Sequence, residues 1–318
     1  MSPFAITLYA SILLLHIVGC NSAQASYQTV RSLGMGGSGV AGPTVEDAVF
    51  LNASSLSFTK TGGGVQSRYL PWYDQEEFAV GAAYSKDGSG FGVGFIEAAP
   101  WKKTPSNSMG ISIDTSSTKT YHFIGAIGLS VNRTLSLGIM PRFDYTKGAS
   151  VQGSKTYSTH SSGYDLSATY KPNQTMAISL VLSNPSDVPD HFIATAGIYE
   201  DFGKHLSTAL DLGGFYTAVT KSFNLNLSTG FEIRTNDYFH VRFGYMDTVA
   251  PSGVYSDSSL DRKRYIFIGN GVHLGKSFSL DVMSNVYQLG NGSNNVSGKG
   301  ANGSFFDTLS LALNIHLY

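Results

Sequence analysis

The final segment, FDTLSLALNIHLY, sets Leu309, Leu311, Leu313, Ile315 and Leu317 against Thr308, Ser310, Ala312, Asn314 and His316, and Tyr318 closes it. In an extended chain a period of two places these sets on opposite faces. The same alternation recurs along most of the sequence, so many strands must each meet an apolar medium on one side and a polar or small-residue interior on the other. In a bilayer such strands satisfy their backbone groups only by closing into a barrel.

Composition favours the membrane over water. Charged residues make up 14% of the chain and aromatics 12%, whereas an ordinary soluble domain carries about 25% charged residues. The formal net charge of -1 offers no footprint for nucleic acid. The one long apolar run, residues 4–18, is followed by Ala23-Gln24-Ala25, which reads as a secretory signal peptide ending at residue 25, although residues 1–18 hold no Lys or Arg. Cys20 is the sole cysteine, which excludes an internal disulfide framework. Ile17-Val18-Gly19-Cys20 also resembles a lipobox, so lipidation of Cys20 is the second processing outcome. Beyond residue 25 no run of ~18 apolar residues remains to span a membrane as a helix.

Period-two segments separated by turn residues fall at 63–69, 77–85, 91–98, 120–131, 135–147, 163–171, 176–183, 191–201, 205–216, 223–234, 238–246, 264–274, 278–288 and 306–318. The clearest alternates Phe223, Leu225, Leu227, Thr229, Phe231 and Ile233 with Asn224, Asn226, Ser228, Gly230, Glu232 and Arg234. The segment 264–274 alternates poorly, because Tyr265 and Phe267 compete with Ile266 and Ile268. The connections sort by length: those near 70–76, 99–119, 148–162, 184–190, 217–222, 247–263 and 289–305 are mostly long, and those between them are short turns. A β-sandwich or β-solenoid has no reason to sort its loops this way, whereas a bacterial barrel has short periplasmic turns and longer outer loops. The expected fold is therefore all-β, a 14-stranded antiparallel transmembrane β-barrel over residues 62–318 in the bacterial outer membrane, with both termini periplasmic.

Residues 26–61 lack clean alternation. They contain Arg31-Ser32-Leu33-Gly34-Met35-Gly36-Gly37-Ser38-Gly39-Val40-Ala41 and then Glu46-Asp47-Ala48-Val49-Phe50-Leu51-Asn52-Ala53-Ser54-Ser55-Leu56. The glycines permit tight turns and close approach to neighbouring walls, the second stretch suits a short helix, and Phe50, Leu51 and Leu56 are apolar anchors. A barrel of this size encloses a lumen that something must fill or line.

These two runs resemble the N-terminal signature of the FadL-type long-chain fatty acid transporters and of the related PorV-like outer-membrane proteins. Arg31, Gly34, Met35, Gly36, Gly37, Asp47, Asn52 and Leu56 match it, and Ala53 stands where those families usually have Pro. The resemblance implies an N-terminal hatch, residues 26–61, plugging the lumen. It also implies passive uptake of hydrophobic small molecules such as long-chain fatty acids, through the hatch and sideways into the membrane. The partners implied are outer-membrane lipid and a hydrophobic ligand or detergent in the lumen. A PorV-like secretion-associated role and a general diffusion porin for polar solutes are the alternatives.

Inward-phase charged residues include Arg68, Arg142, Asp144, Asp165, Asp211, Glu232, Arg234, His240, Arg242 and Asp281. They read either as a selectivity lining or as ion pairs tying strands and hatch together, and the mixed signs favour the second. No enzyme signature emerges: the eight His lack metal-ligand spacing, and no Ser, His and acid trio stands out. The run Gly298-Lys299-Gly300-Ala301-Asn302-Gly303 fits a dinucleotide fingerprint but falls in an expected outer loop. No cofactor is implied, and the oligomeric state is open.

Overall fold

Alternation becomes a closed wall in the computed structural model, which describes residues 29–35, 37–42, 44–70, 75–100, 119–149, 156–184, 191–217, 222–249, 262–275, 277–289 and 310–316. The strands are β1 (Gly62–Leu70), β2 (Gln75–Lys86), β3 (Ser89–Pro100), β4 (Lys119–Ser130), β5 (Leu135–Ala149), β6 (Thr156–Tyr170) and β7 (Met176–Asn184). They continue as β8 (His191–Asp201), β9 (Leu206–Thr217), β10 (Ser222–Arg234), β11 (Phe239–Val249), β12 (Arg262–Leu274), β13 (Phe278–Leu289) and β14 (Ser310–His316). Each pairs antiparallel with its sequence neighbours, and β14 returns to β1 from Gly62↔His316 to Ser67↔Leu311, closing the barrel. Closure leaves no unpaired edge.

All fourteen expected strands are present, with β6 starting seven residues earlier than its alternation suggested. The expected signal peptide with Cys20, the glycine run at 298–303, Leu317 and Tyr318 lie outside the described residues.

The short connections share a small set of local solutions. Asp87 and Gly88 take left-handed φ values of 51° and 78°, the two-residue turn that matches the twist of a hairpin. At three other turns an asparagine carboxamide accepts two backbone N–H groups. Asn132 Oδ1 receives Thr134 and Leu135, Asn173 Oδ1 receives Thr175 and Met176, and Asn236 Oδ1 receives Tyr238 and Phe239. Asn supplies this bond because its side chain mimics a backbone turn.

The two faces separate cleanly. Outward lie Val65, Phe78, Val80, Phe91, Val93, Phe123, Leu137, Ile139, Phe143, Leu180, Phe231, Phe243, Leu311 and Leu313, all exposed and apolar. An apolar belt of this extent is far larger than the patches water-exposed monomers carry. Inward lie small, polar and charged residues, together with Ile96, Ile124 and Met140, which pack on Val49, Phe50 and Leu56 of the N-terminal segment. In β12 the phase is opposite to what size alone suggests: Ile266 faces out while Tyr265 and Phe267 face in, Phe267 with no exposed surface. The inward aromatics pack on Val30 and Leu33 of the N-terminal segment, so there the interior itself is apolar.

That segment occupies the lumen. It forms helix α1 (Val30–Gly34), helix α2 (Val45–Phe50) and a 3-10 turn over Ala53–Phe58. Each begins on a capping side chain: Thr29 accepts from Ser32 N–H, Thr44 from Asp47 N–H and Asn52 from Ser54 N–H. Every described residue from Val45 to Leu56 is buried. The protein's core therefore lies inside the barrel, between the N-terminal segment and the wall.

Candidate functional site

The wall is cut to receive the segment, and β3 shows how. Its sequence Gly90-Phe91-Gly92-Val93-Gly94-Phe95 alternates outward bulk with inward glycine. A Cβ on Gly90 would lie 2.5 Å from Leu56 Cβ, one on Gly92 2.9 Å from Val49 Cγ2, and one on Gly94 2.6 Å from Phe50 Cε1. Three successive inward glycines thus form sockets for three segment side chains. Across the lumen, a Cβ on Gly230 would meet Met35 Cβ at 2.4 Å, and one on Gly138 would meet Ser54 N at 2.2 Å. The glycines allow backbone-close docking around the circumference.

A chain of buried ion pairs ties the segment to the wall. Arg31 Nη1 donates to Asp47 Oδ2 at 2.9 Å, and its Nε to Glu232 Oε2 at 3.3 Å. The same Glu232 oxygen receives Arg242 Nε at 2.7 Å, and Arg242 Nη1 reaches Asp281 Oδ1 at 2.6 Å. Asn314 Nδ2 donates to the other Asp281 oxygen at 3.0 Å. Arg242 crosses β12 to reach β13 over Gly271, where a Cβ would sit 2.9 Å from Arg242 Nη2. Cross-strand pairing places Glu232 opposite Arg242. Low dielectric strengthens every member, and none is left without a counter-charge.

Polar contacts complete the seal. Asp211 Oδ2 accepts from Gly39 N at 2.7 Å and Val40 N at 2.9 Å. Asn52 Nδ2 donates to Val40 O at 2.7 Å and Thr169 Oγ1 at 2.9 Å, and Asp47 Oδ1 receives Thr29 Oγ1 at 2.7 Å.

The sequence-derived residues fall into three groups. Arg31, Asp47, Glu232, Arg242 and Asp281 join one network. Gly34, Met35, Asn52 and Leu56 are contact points with the wall, Gly37 takes φ 85° in the turn after α1, and Gly36 lies outside the described residues. The third group lies on the lumen wall and meets the network at Glu232, 3.3 Å from Arg234 Nε. Arg142 pairs with Asp165 at 2.7 Å, His122 with Asp144 at 2.7 Å, and Arg234 with Asp201 at 3.3 Å; His240 Nδ1 lies 3.8 Å from Glu232. The side chain of Arg68 is outside the description. These pairs join strands of the wall to one another.

Sequence reasoning missed Gln66, Ser54 and Thr169, which bond across the interface, Thr29, which bonds Asp47 within the segment, and the glycine sockets. The sockets had a legible signal, glycine recurring on the inward phase of β3. The hydroxyl partners had none, since Ser and Thr on a polar face are ordinary.

Comparison with solved structures places this architecture. The CymD monoaromatic hydrocarbon channel superposes with a TM-score of 0.65 at 11% identity, covering 93% of this chain and 99% of the other. A Pseudomonas aeruginosa FadL homologue gives 0.60 at 12% identity, covering 92% and 98%. The fold is that of the FadL-type barrels. The P. putida toluene transporter TodX gives 0.57 at 12% identity over 92% of this chain and 99% of its own. No family model matches the chain, and a search of curated proteins finds no relative at the sequence level. At such identity the FadL-type likeness is one of backbone course and strand number, carried here by different side chains.

Proposed function

We propose that this FadL-type barrel sits in a bacterial outer membrane, short-turn end toward the periplasm, and passes small hydrophobic molecules while its N-terminal segment bars polar solutes. One observation carries the reading: the lumen is occupied by a segment of the chain itself, socketed and ion-paired to the wall. A general diffusion porin needs an open aqueous lumen, and buried Arg31, Asp47 and Glu232 sit where its water would run. The exposed apolar belt supports membrane residence. The substrate class is set by two supports. Similar structures are a monoaromatic hydrocarbon channel and a toluene transporter, and the residues around Arg31 and Asp47 resemble the signature of fatty acid transporters. Both are lipophiles, so the proposal is for that class, with toluene and a long-chain fatty acid as the two probes.

The test uses the full-length protein in cells whose outer leaflet is lipopolysaccharide, the barrier lipophiles cross poorly. Faster entry of labelled toluene or oleate on expression, together with the absence of steady ion conductance in planar bilayers, is the expected result. Steady conductance with no gain in lipophile entry would refute the proposal and favour a porin. The ratio of toluene to oleate uptake decides between the two lipophiles.

A further inference from the structure

At the short-turn end a second feature lies away from the ion-pair chain. A cavity of about 170 Å³ opens between the 3-10 turn of the N-terminal segment and the wall around the β6–β7 turn, lined on one side by Phe58, Met176 and Ala177 and elsewhere by polar groups, Lys171, Tyr199 and Asp201 among them. A cavity near 150 Å³ suffices for a benzene ring. The charges around it are unevenly matched. Arg234, also on the lining, is neutralised by Asp201 and Glu232, each at 3.3 Å. Lys171 has no carboxylate within ion-pair distance among the described residues; its ammonium rests 5.3 Å from the centroid of the Phe58 ring. Burial holds the lysine below its usual range, and no neighbouring anion raises it again. A half-buried ammonium beside a ring-sized cavity with one apolar side is a receptor for a negative charge attached to an apolar body.

We propose that this cavity binds a small amphipathic carboxylate, its anionic end on Lys171 and its apolar body against Phe58, Met176 and Ala177. A charge-assisted hydrogen bond to the ammonium supplies what the site lacks, and the apolar side formed by Phe58, Met176 and Ala177 favours an anion with an apolar body over an inorganic one. Arg234 does not compete, because its guanidinium is already paired. The site asks nothing of the passage reading: a barrel that carries no lipophile binds the same ligand.

Calorimetric titration of the full-length protein in a non-ionic maltoside detergent tests it. Benzoate is the probe, benzamide its uncharged match, and inorganic phosphate the charge without an apolar body. Saturable benzoate binding is expected, at least tenfold tighter than either control. Lys171→Met, which keeps the stem on Phe58 and removes the charge, weakens benzoate at least tenfold. Met176→Trp fills the cavity while leaving Lys171 in place, and abolishes binding. Both variants are checked for the heat-dependent gel shift of a folded barrel, and if one fails to fold the other decides. Equal binding of benzoate and benzamide, or native-like benzoate binding in a folded variant, would overturn the proposal.

Discussion

Replacing Arg31 by Met should undock the N-terminal segment while leaving the barrel closed. The network holds three guanidiniums, Arg31, Arg234 and Arg242, against four carboxylates, Asp47, Asp201, Glu232 and Asp281. The substitution keeps part of the aliphatic stem but leaves Asp47 buried with no cation among the described residues, while Glu232 keeps Arg234 and Arg242. Removing one partner of a buried pair costs about 3–5 kcal/mol, because the remaining charges lose compensation. At ~1.36 kcal/mol per tenfold change, the docked-to-undocked ratio falls by roughly two to four orders of magnitude. The wall does not share this cost, since closure rests on strand ladders in which the segment takes no part. Two readouts follow: protease cleavage within residues 29–58 becomes fast, and planar bilayers show opening events that the native chain lacks. The heat-dependent gel shift of the barrel stays. Adding Asp47→Asn removes one excess carboxylate and should recover part of the loss, so the two changes are non-additive. A singly substituted barrel that resists protease and stays silent as the native one does would refute the claim that these ion pairs hold the segment.

Three further outcomes are expected. Gly94→Leu drives a side chain into the position of the Phe50 ring and should release the segment at a cost of about 1–3 kcal/mol or more. Gly213→Ala, whose Cβ meets nothing closer than Thr195 Oγ1 at 3.4 Å, should not; protease sensitivity compares them. Phe243→Arg places on the outward face of β11 the charge that Arg242 carries inward one residue earlier. It should cost about 2–4 kcal/mol if position 243 lies near the bilayer midplane, measured by equilibrium unfolding in vesicles. Asn173→Ala deprives Thr175 and Met176 N–H of their acceptor. It should lower stability by ~1 kcal/mol with segment protection unchanged, read from thermal unfolding.

Strand number was legible because lipid imposes one demand on every strand: an apolar outward face with period two. That demand is local and repeats fourteen times, so an error at one boundary does not spread. The turns were legible for a similar reason, since Asp87-Gly88 and the Asn-led turns carry their solution within four residues. β12 was the weak case. Its inward face answers to Val30 and Leu33, more than two hundred residues earlier in the chain, and no window around Phe267 contains them. The same distance hid the role of β3: Gly90, Gly92 and Gly94 are plain in sequence, but the side chains that need them are Leu56, Val49 and Phe50 on a segment with no alternation of its own.

The sequence by itself determined the wall of this protein, its strand count, the sorting of its connections and the presence of an N-terminal segment bearing both charge and apolar anchors. Only the tertiary structure decided that this segment fills the lumen, that Arg31 and Glu232 meet across about two hundred residues, and that Lys171 lacks a counter-charge among the described residues beside a ring-sized cavity. The division has a physical origin. A strand's two faces are set by the media on either side of it, which every residue of the strand senses. A socket or an ion pair is set by a single partner, which only the closed barrel brings near.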